Sequence, residues 1–308
     1  MDEGFQINGI RIDATFAEAF DMKATRLVVT AEDHYWVSAA AAAMTGFGTS
    51  VIGCGIEIAV ERELAPAHTP DGRPGVAILA FTVSGKDMEK QISRRAGQCI
   101  LTCPTTALYA GIEETDPKSD KRIPLGKSLR YFGDGHQISK MIRGRRYWRI
   151  PVMDGEFVCD HEVPRIDGIG GGNFIMLGNS TRAVSTACRA AVDAIRPLQG
   201  SITPFPGGAT RSGSKVGSKY PALSASTNDA FCPTLRTCAT SSELMRDESV
   251  GMEIVIDGLS DEAIATAMRA GIEAACHADT EGGLLRITAG NYGGKLGRHH
   301  FHLAEILK

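Results

Sequence analysis

The chain has 308 residues, 43% hydrophobic and 22% charged, with a formal net charge of −3, which is long for one core and comfortable for two of about 150 residues each. The near-balanced charge excludes a polybasic nucleic-acid surface, and the uncharged run 35–56 is too broken by Gly46, Gly48 and Gly53 to read as a membrane span. MDEGFQ at the start lacks the basic-then-apolar order of an export signal, so a soluble, cytoplasmic protein is expected, its eight scattered cysteines reduced.

In chain order, residues 27–30 read as a strand, 33–44 as an alanine-rich helix stopped by Gly46, and 49–52 as the next strand. The Pro- and Gly-rich loop TPDGRPG (69–75) leads to a strand at 76–82. Met88, Ile92, Ala96 and Cys99 keep helical spacing, and 100–102 is expected to be a fourth strand. The second half repeats the plan. A strand at 173–177 precedes a helix at 181–196 with Val184, Ala187, Cys188, Ala191 and Ile195 on one face, and SITPFPGG carries the next strand. After an irregular stretch come a strand at 251–259, a helix carrying Ile264, Ala267, Met268, Ile272 and Cys276, and a closing strand at 284–289.

The halves superpose as sequences. Gly46 matches Gly200 and Gly53 matches Gly207 at an offset of 154, while Gly75 matches Gly251 at 176, so the second half holds 22 extra residues within 209–250. This predicts an α+β chain of two similar βαββαβ lobes, ferredoxin-like split α/β sandwiches, with an N-terminal lobe at 1–150 and a C-terminal lobe at 151–308. The charged stretch 113–149 is the expected bridge.

In GMEIVIDGL (251–259), Met252, Ile254 and Ile256 point one way and Glu253, Val255 and Asp257 the other. Glu253 is either a solvated residue of an edge strand or the chemical centre of the protein. Two features favour the second reading. Its counterpart by the 176 offset is Ala77, so the fold does not demand a carboxylate there, and the insert is present only in the half that carries the glutamate.

Other chemistry is weakly signalled. GFGTS (46–50) and GIGGGNF (168–174) both enter strands, the reverse of a phosphate loop. No GxSxG or CxxC occurs. His277, His299, His300 and His302 read as a surface or interface patch, and no metal is expected. The insert is rich in groups that bind ligands. Lys215 and Lys219 can hold an anion, and Ser226, Thr227, Asn228 and Asp229 offer hydroxyl, amide and carboxylate groups, against the alternative of a solvated loop with an Asx-turn. AGNYGGKLG (289–297) likewise sets a ring, an amide and a lysine among glycines.

Ten motifs in register then carry a resemblance. They are TGFGTSVI (45–52), TPDGRPGV (69–76), FGDG (132–135), GGNF (171–174), PFPGG (204–208), SKVGSK (214–219), ASTNDAFCPT (225–234), EIVI (253–256), GIEAAC (271–276) and AGNYGGKLG (289–297). Over nearly the whole chain the sequence resembles the formylmethanofuran–tetrahydromethanopterin formyltransferase family. The resemblance implies formyl transfer in one-carbon metabolism, from the amine of a methanofuran-type carrier to N5 of a tetrahydromethanopterin-type pterin. These two carriers are substrates, and no bound cofactor or metal is implied. It implies a homo-oligomer, dimer or tetramer, with hydrolase subunits of a larger complex as further partners and no nucleic acid or membrane. Glu253 matches the family's proton-handling glutamate, and Phe205, Pro206, Lys215, Ser218, Lys219, Ser226, Thr227, Asn228, Asp229, Asn291, Tyr292 and Lys295 fall in motifs expected to bind substrate. Arg298 joins Lys215, Lys219 and Lys295 as a candidate for the glutamyl carboxylates of the donor tail. The mild charge and the segment 236–249 depart from archaeal members and suit a methylotrophic bacterial one. The alternative is a non-catalytic, carrier-binding scaffold subunit of that larger complex.

Overall fold

A computed structural model of the chain describes residues 4–112, 121–238, 241–278 and 282–308. The architecture is mixed α+β, in two compact units: Met22–Gly168, and Met1–Asp21 together with Ile169–Lys308.

In the unit Met22–Gly168, the strand Phe16–Thr30 (its part from Met22 onward) lies between Gly75–Thr82 and Ala107–Ala110, both antiparallel to it, and Ile56–Leu64 flanks Gly75–Thr82. Strand alternation decides the faces. Leu27 and Val29 pack with the helices His34–Thr45 and Gly85–Arg95, while Val28 joins a smaller cluster with Ala77 and Tyr109. The first helix starts where the Asp33 carboxylate accepts the Trp36 N–H at 3.1 Å.

Two expected strands are placed elsewhere by the structure. Residues 49–52 hold only the two-residue strand Thr49–Ser50. Ser50 Oγ then accepts the Ile52 N–H at 3.2 Å and caps the one-turn helix Val51–Cys54. The true second strand is Ile56–Leu64, whose Glu57, Glu61, Arg62 and Glu63 disguise it. Glu61 is buried because Arg26 holds it through two bonds of 2.7 Å. Residues 100–102 are not a strand either. The chain closes a π-helical turn at Ala96–Ile100, Thr106 Oγ1 donates to Ile100 O at 2.6 Å, and the fourth strand is Ala107–Ala110. Of the bridge expected at 113–149, residues 113–120 lie outside the described residues. The rest includes the hairpin Ile138–Ile142 and Arg145–Val152, which extends the sheet through Gly155–Asp160.

The unit Met1–Asp21 with Ile169–Lys308 has the same strand order. Ile166–Gly178, from Ile169 onward, lies between Val250–Gly258 and Leu284–Thr288, and Ser201–Ile202 flanks Val250–Gly258, all antiparallel. The helices Thr181–Ile195 and Asp261–Ala278 cover one face, burying Phe174, Met176, Ile254, Ile256 and Ile287 with their own apolar stripes. Register agrees with the offset of 176 at the position of Glu253. Ala77 is flanked by Val28 and Arg62, and Glu253 by Ile175 and Thr210, at the same place in each order.

The insert is anchored at its far end by a buried ion cluster. Arg286, 6% exposed, donates to Glu248 at 2.7 and 2.9 Å, to Asp13 at 2.8 Å and to Glu243 O at 2.8 Å, and the Glu248 carboxylate also accepts the Met245 N–H. Residues 239–240 of the departing segment 236–249 lie outside the described residues. Arg286→Leu strands the Glu248 charge in a dry site, so urea unfolding is expected to show a loss of about 3–5 kcal/mol, and adding Glu248→Gln should recover part of it. A loss under about 1 kcal/mol would mean that the cluster is solvated.

Candidate active site

Glu253 stands on the sheet face opposite Ile254 and Ile256. Its main chain is fixed by reciprocal bonds to Thr210, N to O at 2.8 Å in both directions, so the insert leaves the sheet directly beside it. The chain then turns through Arg211 and Ser212 to Gly213, whose backbone lies under the carboxyl. A Cβ at Gly213 would sit 2.5 Å from Glu253 Oε2, so no side chain fits there while the carboxyl keeps its place. Asn228 closes the loop over it, donating its N–H to Gly213 O at 2.6 Å.

The result is a cavity of about 30 Å³, room for about two waters or for a formyl group. Ile175, Met252 and Phe231 form its apolar wall. Thr210, Thr227, Asn228 and Cys232 supply polar groups, and Arg211 is also part of the lining. Among the described residues none hydrogen-bonds to the Glu253 carboxyl. Desolvation, with no donor to offset it, pushes its pKa up to about 7. Burial also raises Tyr292, whose hydroxyl donates to Ser214 O at 3.4 Å, and the charges of Glu253 and Glu18 raise it further.

Of the residues singled out from sequence, Glu253, Thr227 and Asn228 line this cavity, and Tyr292 reaches the adjoining Ser214. Lys215 is committed to Asp229 at 2.5 Å. Ser226 Oγ donates to Gly217 O at 2.8 Å and Ser218 Oγ accepts from Tyr220 N, so both serve the hairpin Ser214–Val216 and Ala225–Thr227 and its turn. Asn291 donates to Thr15 Oγ1 and Phe16 O. Lys219 and Lys295 are exposed, and Arg298, also exposed, pairs with Asp21 at 3.2 Å. Phe205 and Pro206 form the turn before Gly208 and do not line the cavity. Sequence reading missed Thr210, Arg211, Gly213, Phe231 and Cys232. Gly213 between two serines was a usable signal, and the lining role of the others depends on the insert's path. Of the histidines, His299 is held between Asp261 at 2.6 Å and Asp21 at 3.1 Å, while His300 and His302 share one side of their strand around Phe16.

Two family models cover the chain. The model for formylmethanofuran-tetrahydromethanopterin formyltransferase matches residues 5–152, and that for the proximal lobe of the same enzyme matches 155–306. A relative from Rhodopirellula baltica carrying that enzyme name is 66% identical over 307 residues, spanning 97% of this chain and 92% of its own. The formyltransferase/hydrolase complex from Methylorubrum extorquens, in complex with methylofuran, contains a chain that superposes with a TM-score of 0.93 at 48% identity, covering 99% of each. The formyltransferase from Methanosarcina barkeri superposes at 0.90 with 44% identity, covering 98% of this chain and 100% of its own.

The raised pKa sets a stability profile. Below the ordinary value of 4.5, folded and unfolded chains both hold the proton and the group contributes nothing. Between 4.5 and about 7 the unfolded chain ionises first, so stability falls as pH rises. Above about 7 the loss is complete, on the order of 1–3 kcal/mol. Glu253→Gln is therefore expected to raise Tm at about pH 8 and leave it unchanged near pH 4. An equal shift at both would show that the carboxyl is solvated.

Proposed function

The chain belongs to the formylmethanofuran–tetrahydromethanopterin formyltransferase family, and on that premise we propose that its formyl transfer, between a methanofuran-type amine and N5 of a tetrahydromethanopterin-type pterin, passes its proton through Glu253. The observation that carries this is the carboxyl itself, unpartnered, facing a cavity of formyl size, and half-protonated near neutrality. N5 attacks the formamide carbon, and the N5–C bond forms as the carbonyl becomes a tetrahedral oxyanion. Glu253 takes the N5 proton and returns it to the departing amine as the C–N bond breaks, leaving formylated pterin and free amine. The Asn228 side-chain amide, which makes no hydrogen bond among the described residues, is the proposed oxyanion donor, a role worth roughly 2.7–4 kcal/mol. Holding two carriers in register supplies more, about 7–11 kcal/mol.

Thr227 and Tyr292 are proposed to contact the reacting ends. Lys219, Lys295 and Arg298 offer charge to the glutamyl carboxylates of the donor, and Lys215 does so only by leaving Asp229. Phe205, Pro206, Ser218, Ser226, Asp229 and Asn291 would act by shaping the loops that carry these groups. We also read each unit as a ferredoxin-like split sandwich, and 1–150 and 151–308 as the bounds of the internal duplication, distinct from the compact units. A self-associating, cytoplasmic enzyme joined to hydrolase subunits fits the relative found in such a complex. A carrier-binding scaffold without chemistry would leave the unpartnered acid unexplained.

Glu253→Gln should keep its fold and lose about 10²–10⁴-fold in kcat, followed as formylated pterin from formylmethanofuran and tetrahydromethanopterin. A loss of tenfold or less removes the residue from proton transfer. Lys219→Gln should raise KM for the methanofuran-type donor with kcat unchanged, as expected for binding shared by ground and transition states. An unchanged KM would place the donor tail elsewhere.

A further inference from the structure

Another glutamate, this one buried, lies at the start of the strand Phe16–Thr30. Ala17 and Ala19 turn into the hydrophobic core, and Glu18, 1% exposed, faces the other way. Its carboxylate is surrounded by main chain. Oε2 accepts the N–H groups of Tyr292 at 2.7 Å and Gly294 at 2.8 Å, and Oε1 accepts those of Leu296 and Gly297, both at 2.6 Å. Successive inward-pointing N–H groups of this kind make a nest that would otherwise take an external anion. Here the chain's own side chain fills it. Gly297 admits no side chain, because a Cβ would lie 2.3 Å from Ala19 O. The loop's entrance is clamped separately, since Gly290 N donates to Asn173 Oδ1 at 2.6 Å.

Tyr292 is the side chain this loop delivers. Its N–H is held by Glu18, its ring packs on Phe20 with centroids 5.9 Å apart, and its hydroxyl reaches Ser214, next to the Gly213 on which the Glu253 carboxyl rests. We propose that Glu18 is a positioning residue for formyl transfer, its carboxylate filling an anion nest in the 290–297 loop and so fixing Tyr292 beside Glu253. The inference rests on the reading of the Glu253 cavity as the transfer site. Burial alone would raise the Glu18 pKa, but the four N–H donors hold it down to about 2, so the pin stays charged wherever the enzyme works. Its charge also helps keep the Tyr292 phenol protonated and able to donate.

The test is an empty nest. Glu18→Ala leaves four N–H groups around a carboxylate-sized hole. Its kcat should fall about 10–10²-fold through misplacement of Tyr292, with KM for both carriers changing much less. Acetate or propionate, both ionised at neutral pH, should restore kcat severalfold where the neutral acetamide does not. Wild-type kcat in Glu18→Ala overturns the proposal, as does a folded, impaired variant that neither carboxylate restores. Should Glu18→Ala fail to fold, Glu18→Asp decides, because the shorter side chain keeps the charge but reaches fewer donors. A folded Glu18→Asp with lowered kcat supports the positioning role, and one with wild-type kcat refutes it. Glu253→Gln is assayed alongside. Full activity there sinks the underlying site reading, whereas full activity in the Glu18 variants sinks only this inference.

Discussion

The structure turns on the close approach of the Gly213 backbone to the Glu253 carboxyl. A residue with any side chain at 213 would displace the acid, and a donor within reach would pin it and lower its pKa. With neither present, partial burial raises the carboxyl's pKa without a donor to offset it. The first repeat shows what the fold does without this demand. Ala77 fills the same place between Val28 and Arg62, wholly buried and apolar. The glutamate is therefore a cost added to a strand that is stable without it, and the insert is the means of maintaining that cost.

Two glutamates of one unit, Glu18 buried and Glu253 half-buried, show how hydrogen bonding helps divide a residue type into two roles. Glu18 and Glu253 both sit on strands and are both desolvated, yet one is held at about 2 and the other at about 7. Four main-chain donors account for the first and their absence for the second. Environments that push like groups apart in this way separate a permanent charge from a group that can exchange protons near neutrality. Tyr292 lies within electrostatic reach of both.

The helices and the repeat were legible because their signals are local: an alanine run, apolar stripes at helical spacing, glycines at constant offsets. The strands Ile56–Leu64 and the first part of Phe16–Thr30 were not. Their charged residues are neutralised by partners far along the chain, as Arg26 is by Glu61 and Glu18 is by a loop more than 270 residues away. Glu253 could be read from strand alternation and from the mismatch with Ala77. Glu18 carries a similar signal, a lone acid between alanines in FAEAF, but only for a reader who already knows the segment is a strand. Within the insert, the sequence located the right loop and could not tell which of its groups are spent on the loop itself. The pairing of Lys215 with Asp229 and the turn at Ser218 are decided by the hairpin's register.

The size of the cavity bears on where specificity lies. About 30 Å³ is room for a group of formyl size, and the cavity opens to solvent on one side. Lys219, Lys295 and Arg298 are exposed outside its lining. The larger part of the catalytic energy, the ordering of two substrates, is likewise gathered away from the acid. Within the cavity the Glu253 carboxyl stands without a hydrogen-bond partner among the described residues. The features that fix its surroundings act on backbone, through the Thr210 bridge, the Asn228 closure and the bond from Arg286 to Glu243 O.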